Sequence, residues 1–242
     1  MKLLYGKSGL FISAVIVAAG KGTRMNMDIN KMFVEVGGKP ILARTVKAFQ
    51  ASSLIDEIVL VLNSRDIVYC KQYIVDRYGF DKVKVLAAGG QVRQESVFNG
   101  LREVDEKCDI VMIHDGARPF IREDNISDCA GAACEYGASC MAVPVKDTTK
   151  AADEEGFIIK TLDRSALWSI QTPQVFRYAQ ILEAHKRAAA DGYCGTDDCV
   201  LAERLGGRIK LVHGSYDNIK ITTREDLAIA EAIVSMDEYW RD

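Results

Sequence analysis

Ser13-Ala14-Val15-Ile16-Val17-Ala18, followed at once by Ala19-Gly20-Lys21-Gly22-Thr23-Arg24-Met25, decides the fold class. A short apolar, β-branched run reads as a strand buried on both faces. The glycines behind it let backbone N–H groups come close to phosphate oxygens. The turn is not a dinucleotide fingerprint, because Met25 stands where the third glycine of GxGxxG is needed. Nor is it a P-loop, since GxxxxGK[ST] is absent. It carries cations instead: Lys21, Arg24 and, seven residues after Arg24, Lys31. An ordinary βα turn with solvated basic residues would look the same in isolation, so the rest of the chain must decide.

Outward from this stretch the same alternation repeats. Residues 57–62 (EIVLVL), 82–86 (KVKVL), 109–114 (DIVMIH) and 139–143 (SCMAV) read as further strands buried on both faces. Between them Pro40 suits a first helical position, and Ile41, Leu42, Thr45, Val46 and Phe49 then share one face. Residues 94–104 and 123–136 are the next helices. The prediction is an α/β, Rossmann-like, mostly parallel sheet with helices on both faces.

Past Val145 the pattern changes. Residues 146–152 and 157–162 read as two strands joined by the turn Asp153-Glu154-Glu155-Gly156. A hairpin here leaves the parallel sheet, as a β-arm over residues 144–164 within one domain of residues 1–242. It is either an ordinary edge excursion or an arm for dimerisation or a lid. Helices are expected again over 178–191 and 197–205, and a strand over 208–212. The last helix begins near Thr223, with Asp226 completing a capping box.

Composition bounds the function. The 242 residues are 48% hydrophobic and 27% charged, enough apolar material for a sizeable core. A net charge of −3 argues against non-specific nucleic-acid binding as the main task, so an anionic ligand needs a local cationic cluster. None of the seven Cys forms a CxxC pair and only three His accompany them, so zinc is not expected. Scattered thiols fit a reducing, cytoplasmic setting. Lys2 and Lys7 ahead of residues 10–19 mimic a secretory signal, but the same run serves as the first strand. No run reaches the ~18 apolar residues of a membrane span.

With its continuation Asn30-Lys31-Met32-Phe33 and Gly38-Lys39-Pro40-Ile41-Leu42, the first loop resembles the sugar-phosphate nucleotidyltransferases. The form AAGKGTRM is similar to one branch, the 2-C-methyl-D-erythritol 4-phosphate cytidylyltransferases. Four later stretches fit that branch. Gly89-Gly90-Gln91-Val92-Arg93-Gln94-Glu95-Ser96-Val97 matches its GGxxRxxSV loop, and His114-Asp115-Gly116-Ala117-Arg118-Pro119 its HDAARP turn. Asp163-Arg164 through Trp168, with Gln171-Thr172-Pro173-Gln174, matches DRxxLW and TPQ, and Asp217-Asn218-Ile219-Lys220 matches DNIK. The departures are Gly116, where the branch usually has Ala, and Gln91, where an acidic residue is common.

The resemblance implies attack by a sugar-alcohol phosphate oxygen on the α-phosphorus of CTP, expelling pyrophosphate. It assigns Arg24 and Lys31 to the charge that builds on the α-phosphate. Arg164 and Lys220 would grip the incoming phosphate. Ala18, Ala19, Gly20, Gly22, Thr23, Gly90 and Ser96 would hold the nucleotide, and Arg118, Thr148 and Thr172 the acceptor. Asp115 and Asp217 would hold Mg²⁺. Asp115 at a strand's carboxyl end could equally be a helix cap, but that edge is where open α/β sheets bind ligands and a hard carboxylate there suits Mg²⁺. The branch is homodimeric, its arms embracing and its Arg at the position of Arg164 reaching the neighbour's substrate. The rival readings are ribitol-5-phosphate cytidylyltransferase, with the same chemistry, and a nucleotide-binding regulator without catalysis.

Overall fold

The computed structural model describes residues 9–20 and 30–240. Strand β1 (Ile12–Ala18) lies inside a seven-stranded sheet. The small antiparallel pair β2 (Glu35–Val36) and β3 (Lys39–Pro40) leads into helix α1 (Ile41–Ala51). Strand β4 (Glu57–Leu62) follows, then α2 (Ile67–Cys70), which runs on as a π-helical stretch, Lys71–Asp76. Next come β5 (Val83–Ala88), α3 (Arg93–Arg102), β6 (Ile110–Asp115), α4 (Glu123–Tyr136) and β7 (Ala138–Pro144). The arm is β8 (Lys150–Ala152) and β9 (Ile158–Thr161). The chain returns through β10 (Trp168–Arg177), α5 (Tyr178–Ala190), α6 (Asp198–Arg204), β11 (Lys210–His213) and α7 (Arg224–Met236).

The sheet order is β11-β7-β10-β6-β1-β4-β5, and every strand runs parallel except β10, which is antiparallel to both neighbours. Side chains alternate across it, as strand geometry demands. Ala14, Ile16 and Ala18 join Leu60, Met112, Leu42, Val46 and Phe49 in one core layer. Val15 joins Val61, Ile113, Val97, Leu101 and Ile181 in the other. α1 and α4 thus cover one face and α3, α5 and α6 the opposite face. A third cluster, Val36, Ile41, Phe120, Ile221, Ala230 and Val234, holds α7 against the rim. The capping box of α7 is present, with Asp226 N–H on Thr223 Oγ1 at 3.4 Å and the Asp226 carboxylate accepting from Thr223 N–H at 2.9 Å.

The chain builds from β1 outward to β4 and β5, then crosses back to lay β6 on the other side of β1. Such a reversal opens a crevice at the carboxyl ends of the two strands, where ligands of open α/β sheets bind. Val17 of β1 pairs with Asp115 of β6 at that edge.

The structure corrects three expectations. Residues 82–86 were expected to be buried on both faces; β5 is the sheet's edge strand, with Lys84 exposed and Val83, Val85 and Leu86 half-buried. β10 was not anticipated, because Pro173 argues against a central strand. A register shift between Ile170 and Gln174 takes the proline out of the ladder, so the strand pairs on either side of it. The arm's strands are shorter than residues 146–152 and 157–162. The turn is as expected, with Gly156 at φ +88° and its N–H on the Asp153 carbonyl at 3.2 Å.

Candidate active site

A pocket of about 380 Å³ opens at the β1/β6 crevice. One wall is the turn after β1, Ala19 and Gly20, and another is the second glycine loop with Gly90, Gln91, Arg93 and Ser96. Lys31, Asp115 and Lys220 complete it. The two loops touch so closely that a Cβ built on Gly89 would lie 2.3 Å from the Ala19 Cβ. Only glycine permits that approach. Ser96 Oγ then accepts from the Gly90 N–H at 3.0 Å and donates back to the Val92 carbonyl, which fixes the second loop's shape. The Gln91 N–H is held by the Glu95 carboxylate at 2.7 Å.

Asp115 is the anionic centre of the pocket, 7% exposed. Its Oδ1 accepts from Arg93 Nε at 3.0 Å, and its Oδ2 lies 2.7 Å from Lys220 Nζ and 3.8 Å from Arg118 Nε. Burial alone would favour the neutral acid; Arg93, Lys220 and Arg118 reverse this and hold the carboxyl well below its ordinary range. Lys31 sits on a short 3₁₀ turn capped by Asn30, 8% exposed, with its ammonium donating to the Ile221 carbonyl at 2.9 Å. The irregular segment 217–221 is anchored by Ile221 N–H on the Ala117 carbonyl and by the wholly buried Asn218, whose amide donates to the Thr172 carbonyl.

Behind this wall the hydrogen-bond directions are forced. The Arg118 carbonyl, 3.1 Å from His114 Nε2, can only accept, so Nε2 carries the ring proton. Nδ1 of the neutral ring then accepts from Thr172 Oγ1 at 3.1 Å, and that hydroxyl oxygen accepts the Asp115 N–H. The ring is neutral, and burial pushes its pKa down to about 4.

Ala19, Gly20, Lys31, Gly90, Ser96, Asp115 and Lys220 therefore meet in one pocket, with Ala18 buried beneath. Gly22, Thr23 and Arg24 lie outside the described residues. Thr172 is 4% exposed and turned inward. Arg118 underlies the wall, with Nη1 on the Asn218 carbonyl at 2.7 Å. Thr148 and Asp217 are exposed, as is Arg164, whose Nη1 donates to the Lys146 carbonyl at the arm's base; none of the three lines the pocket.

Sequence reasoning missed Arg93 as a site residue and did not reach Asp198. Arg93 Nη1 donates to Asp198 Oδ2 at 2.8 Å, so the guanidinium links two buried carboxylates. Despite burial, those two charges hold it firmly protonated. The signal was present in Arg93 at the start of α3 and in the consecutive Asp197-Asp198 that caps and opens α6.

Among the described residues no group of three or more His, Cys, Asp or Glu gathers. Mg²⁺ needs no such group, since it takes one or two carboxylates and completes its shell with phosphate oxygens and water. Asp115, ionised and at the pocket wall, suits such a contact. A larger cavity of about 590 Å³, between Lys47, Glu123 and Trp240, shares no lining residue with this pocket.

A family model described as 2-C-methyl-D-erythritol 4-phosphate cytidylyltransferase (IspD) matches residues 12–236. The chain is 49% identical over 220 residues to the enzyme of that name from Caldanaerobacter subterraneus, covering 91% of this chain and 97% of that one. It is 51% identical over 221 residues to the one from Clostridium novyi, covering 91% and 95%. Among solved structures it superposes on 4-diphosphocytidyl-2C-methyl-D-erythritol synthase from Anaerococcus prevotii with a TM-score of 0.84 at 35% identity, covering 94% of this chain and 97% of that chain. The 2-C-methyl-D-erythritol 4-phosphate cytidylyltransferase from Thermus thermophilus gives a TM-score of 0.73 at 30% identity, covering 92% and 98%.

Proposed function

The chain belongs to the 2-C-methyl-D-erythritol 4-phosphate cytidylyltransferase family, and from that membership we infer how its residues carry out the family's reaction. CMP passes from CTP to 2-C-methyl-D-erythritol 4-phosphate, giving CDP-methylerythritol and pyrophosphate on the way to isoprenoid precursors. A phosphate oxygen of the acceptor forms a bond to the α-phosphorus. The bond from that phosphorus to the bridging oxygen breaks, and pyrophosphate leaves with the electron pair.

Both reactants are polyanions, so repulsion is the first barrier. Lys31 and Lys220 lining one pocket with Asp115 are the observation that carries the reading. Lys31, with Arg24, would meet the charge growing on the α-phosphate; a positioned donor of this kind is typically worth ~10²–10³ in rate. Lys220 and Arg164 would hold the acceptor phosphate, with Arg118 and Thr148 near it. Thr172 would act on the acceptor indirectly, by fixing Asp115. Ala18, Ala19, Gly20, Gly22 and Thr23, with the loop of Gly90 and Ser96, would hold the nucleotide. Asp115, with Asp217 as an outer candidate, would hold Mg²⁺, which would supply positive charge against the triphosphate.

No general base is required. A phosphate monoester has its second pKa near ~6, so the nucleophile is largely dianionic at neutral pH. His114, locked neutral behind Asp115, agrees with that.

The enzyme would work as a homodimer in the cytoplasm, one catalytic domain with the β8–β9 arm as its appendage. On that arm Phe157, Ile158 and Ile159 are 68%, 65% and 64% exposed. A two-stranded hairpin with such a surface is marginal in water unless it packs on something, and a two-fold partner is the commonest solution. The cysteines are all free thiols, in keeping with a reducing compartment. Among the described residues no helix is long and apolar enough to cross a membrane. The test is pyrophosphate release with each of the four NTPs against methylerythritol 4-phosphate and ribitol 5-phosphate. CTP with methylerythritol phosphate should exceed every other pairing; comparable turnover with ribitol phosphate would reassign the acceptor.

A further inference from the structure

We propose that Asp198, which lies outside the pocket lining, is a positioning residue for the transfer: it holds one edge of the Arg93 guanidinium so that Asp115 keeps an oxygen for Lys220. This rests on the reading of Asp115 and Lys220 as parts of the reaction site. Five side chains form a line from the interior to the pocket. His185 Nε2 meets Asp198 Oδ1 at 3.1 Å, and Asp198 Oδ2 accepts from Arg93 Nη1 at 2.8 Å. Arg93 Nε donates to Asp115 Oδ1 at 3.0 Å, and Asp115 Oδ2 lies 2.7 Å from Lys220 Nζ.

A guanidinium facing one carboxylate tends to pair with it through two parallel N–H···O bonds, which occupy both oxygens. Here Arg93 gives Asp115 a single contact, because its other edge is turned to Asp198. The charges sort accordingly. Arg93 answers Asp198, Lys220 answers Asp115, and neither pair carries a net charge.

Asp198 is itself held rigidly. Its side chain is 1% exposed and its N–H donates to Gln174 Oε1 at 3.0 Å. Gln174 Nε2 in turn donates to Asp197 Oδ2 at 2.8 Å. The His185 ring is stacked against Phe98, with centroids 5.9 Å apart and planes at 9°. This run of contacts ends at the pocket, where Arg93 meets Asp115.

Removing the Asp198 charge alone should let Arg93 swing both edges onto Asp115 and release Lys220, whose side chain is already 36% exposed. The acceptor phosphate then loses a fixed cation while the nucleotide loops are untouched. Steady-state kinetics of Asp198→Asn, Arg93→Lys, the double variant and Lys220→Ala, with thermal unfolding of each, tests this. Lysine cannot bridge two carboxylates as a guanidinium does. Both single variants should raise the KM for the sugar phosphate by about ten- to a hundredfold, the loss expected for one displaced charge-assisted hydrogen bond. In Asp198→Asn the KM for CTP should stay within about twofold, and the double variant should be no worse for the sugar phosphate than the worse single one, since both act along one path. Arg93→Lys leaves the Asp198–His185 pair in place and carries the same prediction for the sugar-phosphate KM should Asp198→Asn not fold. A normal acceptor KM in Asp198→Asn beside an impaired Lys220→Ala overturns the positioning role alone. Equal damage to both KM values, tracking lost thermal stability, overturns it too and makes Asp198 structural. A fully active Lys220→Ala would instead remove the reading of Lys220 on which the inference rests.

Discussion

Replacing Gly89 with Ala should separate the two nucleotide loops and weaken CTP while sparing the acceptor. The added Cβ would lie 2.3 Å from the Ala19 Cβ and 2.9 Å from Ser96 Oγ. The hydroxyl can rotate away, but the Ala19 methyl is fixed to the backbone. Carbon atoms rest at about 3.5–4.0 Å, so the loops must part by roughly 1 Å or more. Overpacking of this kind costs about 1–3 kcal/mol of stability. A shift of ~1 Å in a positioning element can cost ~10²-fold in rate. Steady-state kinetics should show kcat/KM for CTP falling by about ten- to a hundredfold, the KM for methylerythritol phosphate nearly unchanged, and a modest drop in Tm. Adding Ala19→Gly removes the methyl that is struck and should restore most of the CTP term. Unchanged CTP kinetics in Gly89→Ala would refute the placement of the nucleotide between these loops. So would a failure of Ala19→Gly to compensate in a variant that folds normally.

Lys31→Ala should lower kcat by roughly two to three orders of magnitude with the fold intact, because its contact strengthens as the α-phosphate gains charge; circular dichroism and single-turnover rates check both halves. EDTA should abolish activity and Mg²⁺ restore it, and Asp115→Asn should need far more Mg²⁺, as a titration of pyrophosphate release would read. Acidification should also distinguish Asp115→Asn. The Asp115 folded pKa is lowered, so its contribution is fully present above its unfolded value and fades as pH falls towards the folded one; the Tm difference between wild type and Asp115→Asn should therefore shrink below about pH 4. Mixing Lys31→Ala with Arg164→Ala subunits, each nearly inactive alone, should restore roughly a quarter of wild-type sites if Arg164 serves the neighbour, since about half of re-paired dimers are mixed. No recovery despite exchange proven by mass spectrometry would return Arg164 to its own subunit.

The sheet and its order of strands and helices were legible because alternation leaves a period in the sequence. Residues 57–62 and 123–136 match the observed β4 and α4 at both ends. β10 was hidden because its pairing depends on a register shift around Pro173, a tertiary accommodation without a local signal. The edge position of β5 was hidden because a run such as KVKVL does not say how many neighbours it has. α2 and its π-helical continuation escaped because Val68, Tyr69 and Tyr73 are exposed and blur the helical period. In the site, Lys31, Asp115 and Lys220 could be chosen by chemistry and motif. Thr172 could not be recognised as an inward-facing support of His114 and Asp115, since that depends on bond directions across two strands. Asp198 escaped for a related reason: its partner Arg93 is 105 residues away in sequence.

The most direct test of the account follows the oxygen atoms. The acceptor is methylerythritol phosphate with heavy oxygen throughout its phosphate group, incubated with CTP, Mg²⁺ and the enzyme, and phosphorus NMR is recorded on the products. If the acceptor phosphate attacks the α-phosphorus, the bridging oxygen is heavy. Both phosphorus resonances of the new diphosphate then carry an isotope shift, and pyrophosphate carries none. Two phosphorus resonances without diphosphate coupling, only the acceptor's own shifted, would mean that a hydroxyl group was the nucleophile. Formation of CMP and pyrophosphate with the acceptor unconsumed would mean hydrolysis, and either result would contradict a site built to aim one phosphate at another.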